Sequence, residues 1–328
     1  GAGGLPHVYV RDLVTGETTL VSRTPSGTPG NLGSAYPHIS GDGRRVVFES
    51  AATDLIPQNV DAPGSDLYLA EVDTGALTLL TVGRDAGLHH LRADGFVNSY
   101  GAAQPRTPQP RLDGAVAIAT PTFRDGFWVA NAAGRVARAG SARHHGEITT
   151  PLAQPVVGMS SSRSGAGYWL VASDGGVFSF GDATFHGSTG AMRLNQPIVG
   201  MSATPSGAGY WLVASDGGIF SFGDATFHGS TGAVRLNRPI VGMARTASGR
   251  GYWLVASDGG VFAFGDATFH GSTGAIALNQ PIVAMVRTHA GRGYRLVAAD
   301  GGVFAFGDAS HIWGPADPQC CIVDATGA

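Results

Sequence analysis

The sequence predicts an all-β chain folded as a β-propeller, with seven or eight blades of three to four antiparallel strands each. Three observations carry this. The stretch from Gly167 to Ala183 returns at Gly209 to Ala225, at Gly251 to Ala267 and, with changes, at Gly293 to Ala309. Tyr168, Tyr210, Tyr252 and Tyr294 therefore stand 42 residues apart each time, and a fixed period of this length marks a repeat architecture. Within the repeat, Tyr168 to Ala172 is apolar on both alternating sides, with Tyr168, Leu170 and Ala172 on one and Trp169 and Val171 on the other. A strand of that kind is covered on both faces. No stretch carries helical spacing over a useful length. Small sheets that need cover on both faces stack around an axis, and blades of about this length build propellers. A linear β-solenoid is the runner-up; its coils are shorter, and hairpins inside each repeat argue against it.

Each element of the repeat has a local reason. Asp174-Gly175-Gly176 makes a tight turn, because glycine accepts positive φ and aspartate bonds its own backbone two residues on. Val177 to Phe180 is then the return strand of a hairpin. Ile198 to Met201, entered through Gln196-Pro197, is a further strand, and Phe185 to Ser188 reads as a weaker outer one.

Residues 5–82 repeat differently. His7 to Asp12, the turn Thr15-Gly16 and Glu17 to Ser22 form a hairpin, and the pattern returns as Asp66 to Glu71, Thr74-Gly75 and Ala76 to Thr81. Between them, Ala35 to Ser40, Gly41-Asp42-Gly43 and Arg45 to Glu49 make another hairpin. The loop 54–65 is polar and carries Pro and Gly, hence surface. From residue 88 the 42-residue unit begins in degraded form. Asp94-Gly95 aligns with Asp174-Gly175, and Phe127-Trp128 with Tyr168-Trp169, with Ala133 in place of the turn aspartate. Six units result, with a proline-bearing loop at 104–110. Ile322-Val323 stands where Ile282-Val283 stands one repeat earlier, so the chain stops inside a repeat.

Two resemblances follow from these residues. Residues 5–82 resemble TolB-like propeller repeats, in which a P-x-I-S-x-D-G-x-x-V-x-F hairpin precedes a D-[VIL]-[YF]-[VL] hairpin; they amount to one and a half blades. Residues 88–328 resemble the G-Y-W-L-V-A-S-D-G-G-V-F-x-F-G-D-A repeats found in tandem in secreted or surface proteins of actinobacteria. That resemblance implies a propeller of unassigned function, often joined to modules such as hydrolases, and it transfers no catalytic residue. The N-terminal half blade and the lone C-terminal strand could complete one blade and close a single ring, which leaves no open edge. A separate upstream propeller is the alternative; one ring is the expectation.

Composition bounds the partners. Charged residues are 14% and hydrophobic ones 43% of 328 residues, against an average of about 25% charged, so the chain can bury a core. The net charge is −3, and all 21 basic residues are arginine, spread without a basic block. Nucleic acid is therefore not an expected partner. No run of about 18 apolar residues exists to span a membrane. The first methionine is Met159, so Gly1 reads as the start of a mature or cut fragment. Cys320 and Cys321 are adjacent; two thiols are expected over a strained vicinal disulfide.

Candidate chemistry is sparse. Asp182, Asp224, Asp266 and Asp308 recur in Gly-Asp-Ala but stand in different blades, so turn bonding is favoured over calcium. Asp174, Asp216, Asp258 and Asp300 do not complete a sialidase-type box. His186, His228 and His270 repeat but follow Phe in an expected outer strand, away from a hub metal site. His89-His90 and His144-His145 look exposed and lack partners at ligand spacing. Trp128, Trp169, Trp211 and Trp253 read as packing between blades, with sugar stacking at a rim as the lesser option. Arg295 takes the tryptophan position in the last full copy; a buried arginine needs a partner, so this blade faces an unusual neighbour or opens to a ligand. No G-x-S-x-G elbow, H-E-x-x-H or P-loop is present, and the four glutamates form no paired-carboxylate site.

The reading is a non-catalytic binding or scaffold propeller, extracellular or at the cell surface and monomeric, for carbohydrate or protein, with no cofactor or metal. Its candidate contacts are Arg295, Arg245, Arg250, Arg287 and Arg292, together with the loops 54–65 and 104–110. A hydrolase or lyase with its site in the central funnel, and a structural spacer beside a catalytic module, are the alternatives.

Overall fold

A computed structural model describes residues 5–40, 43–50, 52, 54–56, 66–79, 88–100, 111–121, 126–288, 290–309 and 322–327. The loops 57–65 and 104–110 and both cysteines lie outside them. The described residues contain no helix. Their strands make eight sheets: one two-stranded, one four-stranded and six three-stranded. The chain is an all-β propeller, divided into two compact units at Ala86/Gly87.

The first unit holds β1 (Tyr9–Arg11), β2 (Thr18–Leu20), β3 (Ser34–Ile39), β4 (Arg45–Ser50), β5 (Asp66–Glu71) and β6 (Leu77–Leu79). β1 pairs with β2, and β3 to β6 form one antiparallel sheet in chain order. In β4, Val46, Phe48 and Ser50 alternate inward, as the period-two pattern requires. Phe48 stacks on Tyr68 with ring centroids 5.6 Å apart, inside a core that includes Val8, Val21 and Ala70.

The second unit begins with β7 (Leu88–Arg92) and β8 (Val97–Tyr100). Then come five complete sheets, each of an inner, a middle and an outer strand. They are β9 (Ala115–Ala119), β10 (Gly126–Asn131) and β11 (Val136–Gly140); β12 (Val156–Ser161), β13 (Gly167–Ala172) and β14 (Val177–Gly181); β15 (Ile198–Ala203), β16 (Gly209–Ala214) and β17 (Ile219–Gly223); β18 (Ile240–Arg245), β19 (Gly251–Ala256) and β20 (Val261–Gly265); and β21 (Ile282–Arg287), β22 (Gly293–Ala298) and β23 (Val303–Gly307). The last strand is β24 (Ile322–Gly327).

β24 corrects the closure expected from the sequence. It pairs antiparallel with β7, Ile322 opposite Arg92 and Gly327 opposite Leu88, and so becomes the inner strand of the β24-β7-β8 sheet. It does not complete the N-terminal half blade. The reason lies in the phase of the repeat. The first degraded unit starts at its middle strand, because Leu88 stands at the Tyr168 position, and the C-terminal remnant is the inner strand that it lacks. Inner strands then touch in order, β9 to β12, β15, β18, β21 and β24, and β24 touches β9. Six of the eight sheets thus close a ring among themselves, with no blade lacking a neighbour.

The middle strands β13, β16, β19 and β22 are buried along their whole length, which is the two-sided cover read from the sequence. The Asp-Gly-Gly turn also forms as read. Gly175 sits at φ 79°, and Asp174 Oδ1 accepts the Gly176 N–H at 2.9 Å. One element differs. Residues 183–188 form no outer strand; they cross to the next blade, for a reason given below.

Candidate functional site

Three features of the ring bear on function: the seams between blades, the central channel, and the end of the ring that carries the hairpins between inner and middle strands.

The seams absorb most of the residues that invited a functional reading. Trp128, Trp169, Trp211 and Trp253 are all buried, which removes sugar stacking at a rim. The Trp169 indole N–H donates to the Thr184 carbonyl at 2.8 Å, and its ring lies 5.7 Å from Tyr210 of the next blade. His186 packs against both rings. The Tyr210 hydroxyl accepts the His186 backbone N–H at 3.1 Å and donates to the Gly187 carbonyl at 2.6 Å. The same Trp-His-Tyr contacts recur with Trp211, His228 and Tyr252 and with Trp253, His270 and Tyr294. Each histidine therefore sits in its own seam. No group of three metal-ligating side chains occurs among the described residues. This use of the His186 N–H also explains the missing outer strand.

His89 and His90, expected to be exposed, are buried. Counted from the turn, they occupy the positions of Trp169 and Leu170. His89 Nδ1 lies 2.8 Å from Ser99 Oγ, and its ring lies 5.0 Å from Phe127. Burial first, then the neighbouring His89, brings the His90 imidazole down to about 4. His144, by contrast, is exposed, and lies 4.0 Å from Glu147.

Arg295 is buried at 2% exposure, in β22 opposite Val286 and Ala305. The next blade supplies Leu88 where four other seams receive a tyrosine, and Leu88 clusters with Ala284, Val286 and Val297. The unusual neighbour is thus found, and Arg295 is placed inside a seam rather than on an open surface.

The hairpin end is held by the Gly-Asp-Ala aspartates. Asp224 Oδ1 accepts from Thr204 Oγ1 at 2.8 Å, and its Oδ2 accepts from Ser206 Oγ at 2.5 Å. Asp266 binds Thr246 and Ser248 in the same way, and Asp182 binds Ser162 and Ser164. Burial works against the charge of Asp182, yet the two serine hydroxyls hold its carboxyl below the usual range. These carboxylates tie the end of each outer strand to the hairpin beside it, the turn role expected of them.

The channel is a cavity of about 270 Å³ bounded by the inner strands β9, β12, β15, β18 and β21. Met159, Met201, Met243 and Met285 line it, with Ile118 at the equivalent place in β9. The 42-residue spacing of these methionines was the available signal, and sequence reasoning did not use it. At the hairpin end the lining includes Thr120 and Ser161. The matching register positions in β18 and β21 are Arg245, opposite Tyr252, and Arg287, opposite Tyr294. Both are half-buried. An Arg245 N–H donates to the Thr246 carbonyl at 3.1 Å, and one from Arg287 to the Thr288 carbonyl at 2.9 Å. Burial, and then the charge of Arg287, brings the Arg245 guanidinium down to about 10.

Arg250 and Arg292 lie in the adjoining hairpins, with side chains 81% and 80% exposed. They pair loosely with Asp266 at 3.7 Å and Asp308 at 3.5 Å. Exposed pairs of this kind contribute about 0–1 kcal/mol, so they leave the guanidiniums available. The structure therefore brings four of the five candidate arginines to one end of two neighbouring blades. A second cavity, of about 350 Å³, opens at the same end between Arg163, Asp182 and Ser206.

No family model matches the chain, and no curated protein matches it. Among solved structures it is similar to the β-propeller domain of Myceliophteria thermophila Cps50 (Swd1), at 9% identity and a TM-score of 0.44 over 86% of each chain. It is also similar to a chain of a Mitotic Checkpoint Complex structure, at 12% identity and a TM-score of 0.43, covering 92% of this chain and 81% of that one. Neither likeness informs function. No helix is long and apolar enough to cross a membrane among the described residues.

Proposed function

We propose that the chain is a binding scaffold whose ligand contacts lie on the hairpin end of the ring. The observation that supports this is where the near-identical copies differ. From Gly167 to Gly176 the four copies match except at Arg295 and Ala299. Over Ser160 to Ala166, only Gly165 is kept in all four. Those seven positions are the end of the inner strand and the hairpin that follows. A rigid frame with variable loops at one end is the usual arrangement for recognition. Within this variable end the last two copies share their arginine positions, Arg245 with Arg287 and Arg250 with Arg292, and such a pair one blade apart suits a repetitive ligand such as a polysaccharide and gains from multivalency. The extracellular or cell-surface setting rests on the repeat resemblance and on this choice of ligand.

The test is capture of the whole chain on a panel of immobilised polysaccharides and surface proteins. Arg163→Ala, Arg250→Ala and Arg292→Ala together, all at exposed positions, should weaken capture about tenfold through lost charged contacts. Phe227→Ala, on an exposed side chain (57%) of the segment that crosses between blades, should leave capture unchanged. Capture that ignores the triple substitution, or no capture anywhere on the panel, overturns the proposal.

A further inference from the structure

We infer that the channel mouth between Arg245 and Arg287 binds the oxyanion group, carboxylate or sulfate, of an acidic polysaccharide. This rests on the hairpin-end reading and names the ligand class for it. The two arginines end neighbouring inner strands at the same register. They are half-buried like charges close enough to act on each other. Arg245 makes no ion pair among the described residues, and its one described acceptor is the Thr246 carbonyl. A guanidinium carries five N–H donors in a planar fork that matches an oxyanion. An anion beside the Arg245 fork offsets the repulsion that Arg245 feels from Arg287.

Two further features favour a sugar chain over a free ion. Thr120 and Ser161 line the cavity at the same level and can exchange hydrogen bonds with sugar hydroxyls. Arg250 and Arg292 repeat one blade apart beside the mouth, which suits charge recurring along a polymer. The chain's net charge is −3, so this concentration of cations is local. Ala203 fills the same register position in β15, so alanine is compatible with the strand.

The experiment is titration of the whole chain with an oligogalacturonate, a sulfated oligosaccharide, a neutral oligosaccharide of equal length and sodium sulfate. The charged oligomers should bind, and more weakly as salt rises. Arg245→Ala/Arg287→Ala should weaken them about tenfold or more while keeping a cooperative melting transition, since alanine already stands at this register position in β15. Equal binding by the double variant, or equal binding of the neutral oligomer, overturns the proposal. Sodium sulfate binding as tightly per anion as the oligomers removes the sugar assignment and leaves an adventitious ion only. Neutral-oligomer binding that Arg163→Ala weakens and the double variant does not would keep the hairpin-end reading and sink the anion site.

Discussion

At position 90 the ring carries a histidine where four other blades carry Leu170, Leu212, Leu254 and Leu296. Burial holds its imidazole at about 4, below the ordinary value near 6.5. The folded chain thus refuses a proton that the unfolded chain accepts. Stability is complete above pH 6.5, falls as pH drops toward 4, and flattens below that. The loss should approach about 3 kcal/mol. His90→Leu should remove this slope and raise the urea midpoint at pH 5 more than at pH 7.5. An equal midpoint for variant and parent at pH 5 would show that the histidine is not a burden. A histidine pair has no apolar signature, so residue type suggested a surface. Counting back from Asp94 to match Asp174 would have placed both side chains in the core.

Between blades, the repeating seam is where sequence and structure agree on composition and differ on geometry. The apolar middle strand was legible because its alternation is apolar on both sides. The crossing segment was not, because Phe185 to Ser188 reads as a strand until the destination of the His186 N–H is known. Tyr210→Phe deletes the hydroxyl that serves both His186 N and the Gly187 carbonyl. It should cost about 1–2 kcal/mol by leaving both groups unsatisfied, read as a lower urea midpoint at unchanged slope. Gly229→Ala should cost more, about 2–3 kcal/mol. Gly229 has φ 131°, and a Cβ there would lie 2.5 Å from the Phe264 ring of the next blade. A tolerated alanine would mean that the seam is looser than the packing of Phe264 implies.

Across the whole molecule, the number of repeats was legible, but their phase at closure was not. A period shows how many inner, middle and outer strands exist. It does not show which open half blade a terminal strand will join, since β1 and β7 both offer an edge. Register decides it: β24 pairs with β7 at five positions, and its inner position puts it against both β21 and β9. Two truncations turn this into an experiment. A chain of residues 87–328 keeps every strand of the ring and should show the ring's melting transition undiminished. A chain ending at Ala309 lacks β24. Losing about five pairings at ~1 kcal/mol each should lower the transition by roughly 10–20 °C. It should also promote association through the unpaired edge of β7. A synthetic peptide of residues 310–328 added to that chain should restore the transition, because the pairing is non-covalent. If the shortened chain instead melts like the parent while the 87–328 chain fails to fold, closure runs through the first unit and the ring is not self-contained.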